Sequence, residues 1–215
     1  MYPFRNKSAA RRVKRMWIRS TESCTVEKAE WRRTLDEREL LQGARDGNQT
    51  AFKILVEKHE RQVAATVFGI LGNSPEVDDI GQMTFIKFYQ NLNVFRGDSG
   101  VGTYLTRIAI NLSLNELRQK KRRRQKIFLE GDPGIERISD NNPGPEHTDE
   151  KKIVRSALQK LKPEDRIVIV LRLLNGYTTE ETADILRLPM GTVLSRLARA
   201  QRKLKRILTP LTGGP

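Results

Sequence analysis

The sequence predicts an all-α protein of two small helical domains joined by a flexible acidic linker. Three observations lead to this fold class. Apolar residues recur at spacings of three and four along both halves of the 215-residue chain, no segment alternates as a strand does, and a stretch rich in proline, glycine and acidic residues separates the halves. With 37% hydrophobic and 6% aromatic residues, the composition favours small separate cores over one large core.

The charge balance limits the classes of partner. Forty Lys and Arg residues outnumber 26 Asp and Glu, which leaves a net charge of +14. Such a surplus calls for an anionic partner, with nucleic acid as the first candidate and a membrane surface as the second. One cysteine, Cys24, and two histidines, His59 and His147, exclude a disulfide framework and leave little material for a metal site. We therefore expect no metal and no cofactor.

Residues 1–34 form a basic arm outside both predicted domains. The arm holds ten Lys or Arg residues and three Glu. Its basic cluster over 11–15 is followed only by Met16, Trp17 and Ile18, too short an apolar stretch for a secretory signal. We expect a disordered arm. A mitochondrial-type presequence, a membrane-surface helix and a translation start at Met16 are the alternatives.

The first domain, residues 35–125, is predicted to be helical throughout. An amphipathic pattern from Leu40 to His59 is broken by Asp46-Gly47-Asn48, after which Thr50 is a candidate N-cap. Glycine and proline over 72–75 form a stop signal in the middle of the domain. The later helical runs are Val63–Leu71, Glu76–Leu92 and, entered through a loop over 96–100, Thr103–Arg124.

The span 126–150 differs in character and is predicted to be the linker. Three prolines, three glycines and seven acidic residues lie in it, and such a composition does not form a core. Fully extended, it would reach roughly 80 Å at about 3.3 Å per residue. Helical periodicity returns at Ile153 and continues through the second domain, residues 151–211.

The second domain contains the pattern of a helix-turn-helix. A short helix capped by Thr178 or Thr179 ends near 186, and an interruption over 187–191 precedes a second helix that Thr192 would cap. The second helix of such a motif is sized to enter the DNA major groove. We expect the core between the helices to consist of Ala183, Ile185, Leu188, Val193 and Leu197.

The charge of the same segment favours nucleic acid as its partner. From Arg187 to Arg206 there are seven basic residues and no acidic residue, and phosphate contacts require clustered positive charge of this kind. The alternative is an amphipathic helix hairpin whose basic face is only solvated.

A second candidate surface lies on the last helix of the first domain. Seven of the nine residues over 118–126 are basic, which suits phosphate contacts or, as the alternative, complements a helix C-terminus. Upstream, one helical face carries an aromatic ring beside polar groups, an arrangement that binds unpaired bases. Packing is the alternative for the ring. The row consists of Tyr104, Arg107, Asn111, Asn115 and Arg118.

Six short stretches, in their order and spacing, resemble the RNA polymerase sigma factors of the extracytoplasmic-function type, a group of the sigma-70 family. The resemblance covers residues 38–207 and leaves out the basic arm. The stretches are Asp78–Phe85, Phe95–Ser99 and Thr103–Asn111 in the first domain, and Leu161–Arg166, Gly176–Ala183 and Pro189–Leu197 in the second.

This resemblance implies a function in transcription initiation. The chain would bind core RNA polymerase at the clamp helices of the largest subunit, recognise the −35 and −10 elements of promoter DNA and promote strand separation. It would have no catalytic activity, cofactor or small-molecule substrate of its own. The resemblance also implies a cytoplasmic protein, monomeric when free, that an anti-sigma factor holds, commonly at the inner membrane.

Positions that match the family motifs assign candidate residues to three surfaces. Polymerase binding falls to Asp78, Asp79, Gln82 and Phe85. Contact with the −10 element falls to Phe95, Arg96, Ser99, Thr103, Tyr104, Arg107, Asn111, Asn115 and Arg118. Contact with the −35 element falls to Thr192, Leu194, Ser195, Arg196, Arg199, Arg202 and Lys203.

The sequence departs from the family pattern at five positions. Met83 stands where an acid is usual, Gly81 weakens its helix, and Tyr104 replaces a Trp. Arg187 occupies a turn position where Gly is common. Leu194 replaces a Lys or Arg, so we expect A·T to be tolerated or favoured opposite it. The alternative is that Leu194 faces the domain core.

Two other classes of function compete with this interpretation. One is a two-domain helix-turn-helix regulator that never contacts polymerase, although nothing in the chain resembles a receiver domain. The other is an enzyme acting on nucleic acid, for which the sequence offers no glycine-rich phosphate loop and no cluster of metal-binding histidines.

Overall fold

The computed structural model describes residues 36–129 and 149–209, and these two ranges are helical. The first half (36–129) contains α1 (Glu37–Arg45), α2 (Gln49–Leu71), α3 (Val77–Gln90) and α4 (Val101–Leu129). The second half (149–209) contains α5 (Asp149–Gln159), α6 (Pro163–Ile169), a π-helical turn (Val170–Leu174), α7 (Thr179–Leu186) and α8 (Met190–Leu208). The all-α prediction is confirmed for these ranges. The basic arm and the middle of the predicted linker lie outside them.

The junction between α1 and α2 lies where the sequence breaks, but the capping residue differs from the prediction. Asn48, not Thr50, is the N-cap of α2: its side-chain oxygen accepts from the backbone nitrogens of Thr50 at 2.9 Å and Ala51 at 3.2 Å. α2 then continues for 23 residues to Leu71. It joins two runs that were predicted separately, because nothing between them breaks a helix. The helix stops at Gly72, whose φ of 73° is one that glycine adopts without strain.

α4 is longer than predicted at both ends. Its first turn is held by Glu37 of α1, whose Oε1 accepts from the backbone nitrogen of Val101 at 3.1 Å. At the other end the helix continues to Leu129, four residues into the predicted linker, because the first strong breaker is Gly131. Likewise, α5 begins at Asp149, before the predicted end of the linker.

The two halves pack against each other and share the largest hydrophobic core, contrary to the expectation of separate cores. Phe52, Phe85 and Phe88 from the first half lie in one cluster of buried residues with Val170 and Leu171 from the second. The cause is the segment 167–171, in which all five residues are apolar and buried. Such a segment is apolar on every side, so it has to be covered by helices of both halves. Two smaller clusters, described below with the helix-turn-helix, lie within the second half.

A polar network crosses the boundary between the halves. The Tyr177 hydroxyl lies 3.1 Å from the Thr106 hydroxyl and also contacts the Gln62 amide. The Asn175 amide donates to the Thr66 hydroxyl at 2.7 Å. These bonds satisfy polar groups that packing has partly removed from water, so the contact between the halves is a specific one.

Two residues mark how closely α2 approaches the second half. A Cβ added at Gly69 would lie 2.7 Å from Val170 Cγ2, so the approach requires glycine. The buried Arg166 of α6 donates to the backbone oxygens of Ile70 in α2 and of Leu161. Burial lowers the pKa of this guanidinium to about 10, which leaves it charged at neutral pH.

Among the described residues, none of the helices combines the length and the apolar character that crossing a membrane requires.

Candidate nucleic-acid interface

The helix-turn-helix is present and begins at a well-formed N-cap. Thr178, one of the two predicted caps, forms a capping box with Glu181: its hydroxyl accepts from the Glu181 backbone nitrogen at 3.1 Å, and the Glu181 carboxylate accepts from the Thr178 nitrogen at 2.7 Å. α7 ends at Arg187, which has a left-handed backbone with φ 53° and ψ 48°. Glycine, which is common at this turn position, adopts the conformation without strain, whereas it costs a non-glycine residue about 1–2 kcal/mol.

The second helix of the motif starts three residues earlier than predicted. α8 begins at Met190 with Pro189 as its N-cap residue, so the prediction of Thr192 as the cap is wrong. Proline carries no N–H group and its φ of −58° suits a helix start. This signal was present in the sequence. The earlier start places Met190 in the first turn, at the same end of the helix as Leu194.

The core of the motif is close to the predicted one. Val168 of α6 packs with Ala183 and Val193, and the partly buried residues around them are Leu186, Leu188 and Leu197. Ile185 is buried as expected, but it belongs to the large shared core instead. α7 therefore packs on two sides, against α8 and against the first half of the chain.

The exposed face at the start of α8 forms a surface that we call the outer strip. Its members are Met190, Gly191, Leu194, Ser195 and Ala198, all exposed. Leu194 is 53% exposed, so the alternative that it faces the domain core is wrong. The remaining candidates for −35 contact on α8 are the half-buried Thr192, Arg196 and Lys203 and the exposed Arg199 and Arg202.

Arg199 is held by an acid that the sequence analysis did not single out. Its Nε lies 3.0 and 3.2 Å from the two carboxylate oxygens of Asp165, and its Nη2 lies 2.8 Å from one of them. Asp165 is buried at the start of α6. The hydrogen bonds and charge of Asp165 raise the pKa of Arg199. Two parallel donors on one carboxylate give a fixed geometry, so α8 is attached to α6 at this point.

The predicted row on α4 lies on one helix, and its residues differ in exposure. Asn111 and Arg118 are exposed, while Tyr104, Arg107 and Asn115 are half-buried. The Tyr104 ring centroid is 4.7 Å from that of Phe95 and 6.0 Å from that of Phe88. The inner edge of the Tyr104 ring therefore packs against these two rings, which is the packing alternative given for it above. Arg107 Nη2 donates to the Asp184 backbone oxygen at 3.1 Å. The upper part of the row therefore touches α7.

The loop before α4 provides one correction. Phe95 is only 6% exposed and packs edge-on against Phe88 at 6.1 Å, so its side chain does not present a surface to DNA. Its role is to support the Tyr104 ring from inside. The other candidates nearby remain accessible: Arg96 is exposed, and Ser99 and Thr103 are half-buried.

The α3 surface provides a second correction. Asp78 and Asp79 are exposed in the first turn of α3, and Gln82 follows one turn later, half-buried. Phe85, by contrast, has 0% exposure. Its ring belongs to the shared core, so the prediction that Phe85 contacts the polymerase directly is wrong. The ring supports the α3 surface from beneath. Met83 is partly buried against the same core.

The basic end of α4 is partly neutralised by acids of the first half. Lys120 Nζ lies 2.7 Å from a Glu76 carboxylate oxygen, and Arg123 lies 2.6 Å from Glu116. Burial alone would raise the pKa of Glu76, but hydrogen bonds from Lys120 and Ser74 lower it to about 2. The remaining basic residues of the run include the exposed Lys121, Arg122 and Arg124.

A groove of about 770 Å³ opens between the halves, next to the α3 surface. Its walls come from α2, α5, the start of α3 and the π-helical turn, including Phe68, Asp78, Val154 and Leu174. Arg155 lies over the Phe68 ring at 4.7 Å. Within the described ranges, no group of three or more His, Cys, Asp and Glu side chains is placed to hold a metal ion.

Family models match both halves of the chain. The model described as Sigma-70 region 2 matches residues 55–123, and the one described as Sigma-70, region 4 matches residues 151–204. The first match contains α3 and most of α4. The second contains α7 and α8 as far as residue 204.

Characterised proteins of similar length match most of the chain. The RNA polymerase sigma-H factor of Pseudomonas aeruginosa is 31% identical over 183 residues, which is 81% of this chain and 95% of the relative. The ECF RNA polymerase sigma-E factor of Escherichia coli strain K12 is 33% identical over 185 residues, 82% of this chain and 96% of the relative.

Solved structures match the fold. CnrH in complex with the cytosolic domain of CnrY has a TM-score of 0.60 at 28% identity, covering 81% of this chain and 97% of CnrH. The sigma factor RpoE in complex with the anti-sigma factor NepR, from Bartonella quintana, also has a TM-score of 0.60, at 22% identity over 74% of this chain and 96% of RpoE.

Proposed function

Because this chain belongs to the extracytoplasmic-function (ECF) group of the sigma-70 family of RNA polymerase sigma factors, we propose that it divides promoter recognition between α4 and α8. The protein binds core RNA polymerase, recognises the −35 and −10 elements of promoter DNA and promotes strand separation for initiation. The observation that carries the assignment of helices is that one chain combines the aromatic and polar row of α4 with a helix-turn-helix.

The first half contacts the polymerase through α3. Asp78 and Asp79 project from its first turn and Gln82 lies on the next, so the three form an accessible acidic and polar surface. The clamp helices of the largest polymerase subunit are the proposed partner. Phe85 supports this surface from the core beneath it, where it is fully buried.

The row on α4 captures the separated strand of the −10 element. A protein that binds unpaired bases more tightly than paired ones shifts the duplex toward the open state. Stacking on an aromatic ring contributes about 1–3 kcal/mol per base, comparable with the few kcal/mol that extruding a base costs. Tyr104 supplies the ring, backed by Phe95, and Asn111 and Arg118 supply exposed polar groups on the same face.

The second half binds the −35 element as a duplex through α8. Thr192, Leu194, Ser195 and Arg196 lie in the part of the helix that meets base edges, and basic residues of its later turns lie toward the phosphates. The two sites act together because the chain that joins them raises the effective concentration of one site once the other is bound.

An anti-sigma factor is the proposed regulatory partner. The groove between α2, α3 and α5 is largely apolar and includes Asp78 of the polymerase-binding surface, so an amphipathic helix seated there would cover that surface. CnrH, a similar protein, forms a complex with the cytosolic domain of CnrY. We therefore place this chain in the cytoplasm with its polymerase, and at the inner membrane when its anti-sigma factor is anchored there.

Run-off transcription tests the function. The full chain with core polymerase should initiate from discrete promoters in a fragment library of its source genome, while neither component should do so alone. Tyr104→Ala combined with Asn111→Ala should leave polymerase binding intact and reduce permanganate reactivity of thymines in the −10 element. A folded chain that fails to bind core polymerase would contradict the function, and equal opening by the double variant would contradict the role of α4.

A further inference from the structure

The outer strip of α8 has an unusual composition for a helix that reads DNA. Met190, Gly191, Leu194, Ser195 and Ala198 are all exposed, and none of them has a charged or amide side chain. Met190 and Leu194 are 54% and 53% exposed, and both are among the few large apolar side chains that the described residues expose. Exposed apolar residues on a binding helix indicate an apolar partner surface.

Two side chains with hydrogen-bond donors, Ser195 in the strip and Arg199 next to it, have partners within the protein. The Ser195 hydroxyl donates to the Thr192 backbone oxygen at 3.0 Å. One edge of the Arg199 guanidinium, made by Nε and Nη2, binds the buried Asp165 carboxylate, with Nη2 at 2.8 Å and Nε at 3.0 Å. Specific contact with guanine normally requires a free Arg or Lys in the groove. Arg196 is the one Arg or Lys on the first two and a half turns of α8, and its side chain is half-buried.

We propose that the strip reads thymine methyl groups. This inference rests on the proposed function of α8. Met190 and Leu194 contact the C5-methyl groups of two thymines in the −35 element, and these methyl groups are the one apolar feature of the major groove. The two residues are four apart on one helical face, so they lie about 6 Å apart along the axis at about 1.5 Å per residue. That distance is close to two base-pair steps of about 3.4 Å, which sets the expected separation of the thymines.

The first experiment identifies the bases. Holoenzyme assembled from the full chain and core polymerase is used to select from promoters with a randomised −35 region. The expected result is two A·T positions, separated by roughly two steps, at which thymine occupies one defined strand. A selected motif that lacks thymine at two such positions, or that places guanine there, would overturn the inference.

The second experiment removes only the methyl groups. Deoxyuridine replaces thymine at each selected position, which deletes one methyl group and leaves the base pairing unchanged. For the unmodified protein we expect binding to weaken about fourfold per contacted methyl group, the effect of burying one such group. Leu194→Ala should no longer respond to deoxyuridine at one selected position, and Met190→Ala should no longer respond at the other. Each side chain would then be assigned to one methyl group.

Both substitutions lie on exposed side chains, so the variants should fold. Val94→Ala, which truncates the most exposed large apolar residue of the first half at 73% exposure, is the matched control and should keep both sensitivities. Holoenzyme that initiates normally but shows no deoxyuridine effect at any position would overturn the inference and leave the function standing. Absence of polymerase binding would instead contradict the function itself.

Discussion

The two helices that we propose to contact DNA differ in what covers them. The row on α4 is partly in contact with the chain's own second half: Arg107 donates to the Asp184 backbone oxygen and Tyr104 packs on Phe95. The outer strip of α8 is exposed along its whole length, and Arg199, next to the strip, holds α8 to α6 through Asp165. α8 can therefore meet a duplex as it stands, whereas full access to the α4 row requires α7 to move away.

The difference shows that the composition of a helical face does not by itself establish its availability. Both faces were predicted as binding surfaces from residue types and spacing. Only the three-dimensional arrangement distinguishes a face that is half used for internal packing from one that is open. Four substitutions probe this difference, and they are ordered here by the size of the expected effect.

The largest effect is expected from Arg166→Met. The buried guanidinium binds the Ile70 and Leu161 backbone oxygens, and its removal leaves buried acceptors unsatisfied. We expect the free energy of unfolding to fall by about 3 kcal/mol, measured by urea denaturation. Arg202→Met, on the exposed side of α8, is the matched control and should change it by less than about 0.5 kcal/mol. Equal effects would mean that the halves are not held together as the structure shows.

Gly69→Ala tests the close approach of α2 to the π-helical turn. The added Cβ would lie 2.7 Å from Val170 Cγ2, inside the shared core. Overpacking should outweigh the gain in helix propensity and lower the free energy of unfolding by about 1–2 kcal/mol. Gly81→Ala is the control: its Cβ meets nothing within 4 Å in the middle of α3, so this variant should be more stable by up to about 1 kcal/mol. Thermal denaturation of both variants shows whether each change stabilises or destabilises the protein. A stabilised Gly69→Ala would contradict the close packing of α2 against Val170.

Tyr177→Phe removes one hydroxyl from the polar network between the halves. That hydroxyl contacts Gln62 and Thr106, so we expect a loss of about 1 kcal/mol and faster hydrogen exchange in the adjoining turns of α4. Tyr89→Phe, whose ring packs on Phe52 within the first half, should leave exchange in α4 unchanged. If both variants behave alike, the network does not hold α7 against α4.

The smallest effect is expected at the far end of α4, away from the boundary. The pKa of Glu76 is lowered to about 2, so its ion pair with Lys120 stabilises the fold above the ordinary carboxyl pKa and loses that contribution as the pH falls from about 4.5 to about 2. Because the pair is partly exposed, Glu76→Gln should cost only about 0.5–1 kcal/mol at pH 7. Unfolding measured across this range should show the two proteins converge at low pH. A difference that persists at pH 2 would assign the effect to packing.

Local features of the fold followed from the sequence because they depend on neighbouring residues. The break at Asp46–Asn48, the stop at Gly72 and the cap at Thr178 all arise within one or two turns of the chain. Prediction failed at the start of α8. Thr192 was predicted as its cap and Pro189 was assigned to the interruption before it, although proline is common at helix starts. That choice kept Met190 out of the candidate surface.

Roles of individual residues were harder to predict when burial decided them. Phe85 and Phe95 lie within motifs, yet both are buried, and they support the surfaces that their neighbours present. Asp165 was quoted in a motif without a role, because its partner Arg199 lies 34 residues away in the sequence. Periodicity identifies which face of a helix is apolar. It does not identify the element that covers that face.

The sequence by itself determined the helices, the helix-turn-helix, the basic surfaces and the family, since each depends on local periodicity, capping or motif order. Only the tertiary structure decided that the halves share a core, that Arg107 contacts α7 and that Leu194 is exposed. The physical reason is that burial is a property of pairs of surfaces. An apolar run such as 167–171 requires a cover, and either half could provide it until the chain is folded in three dimensions.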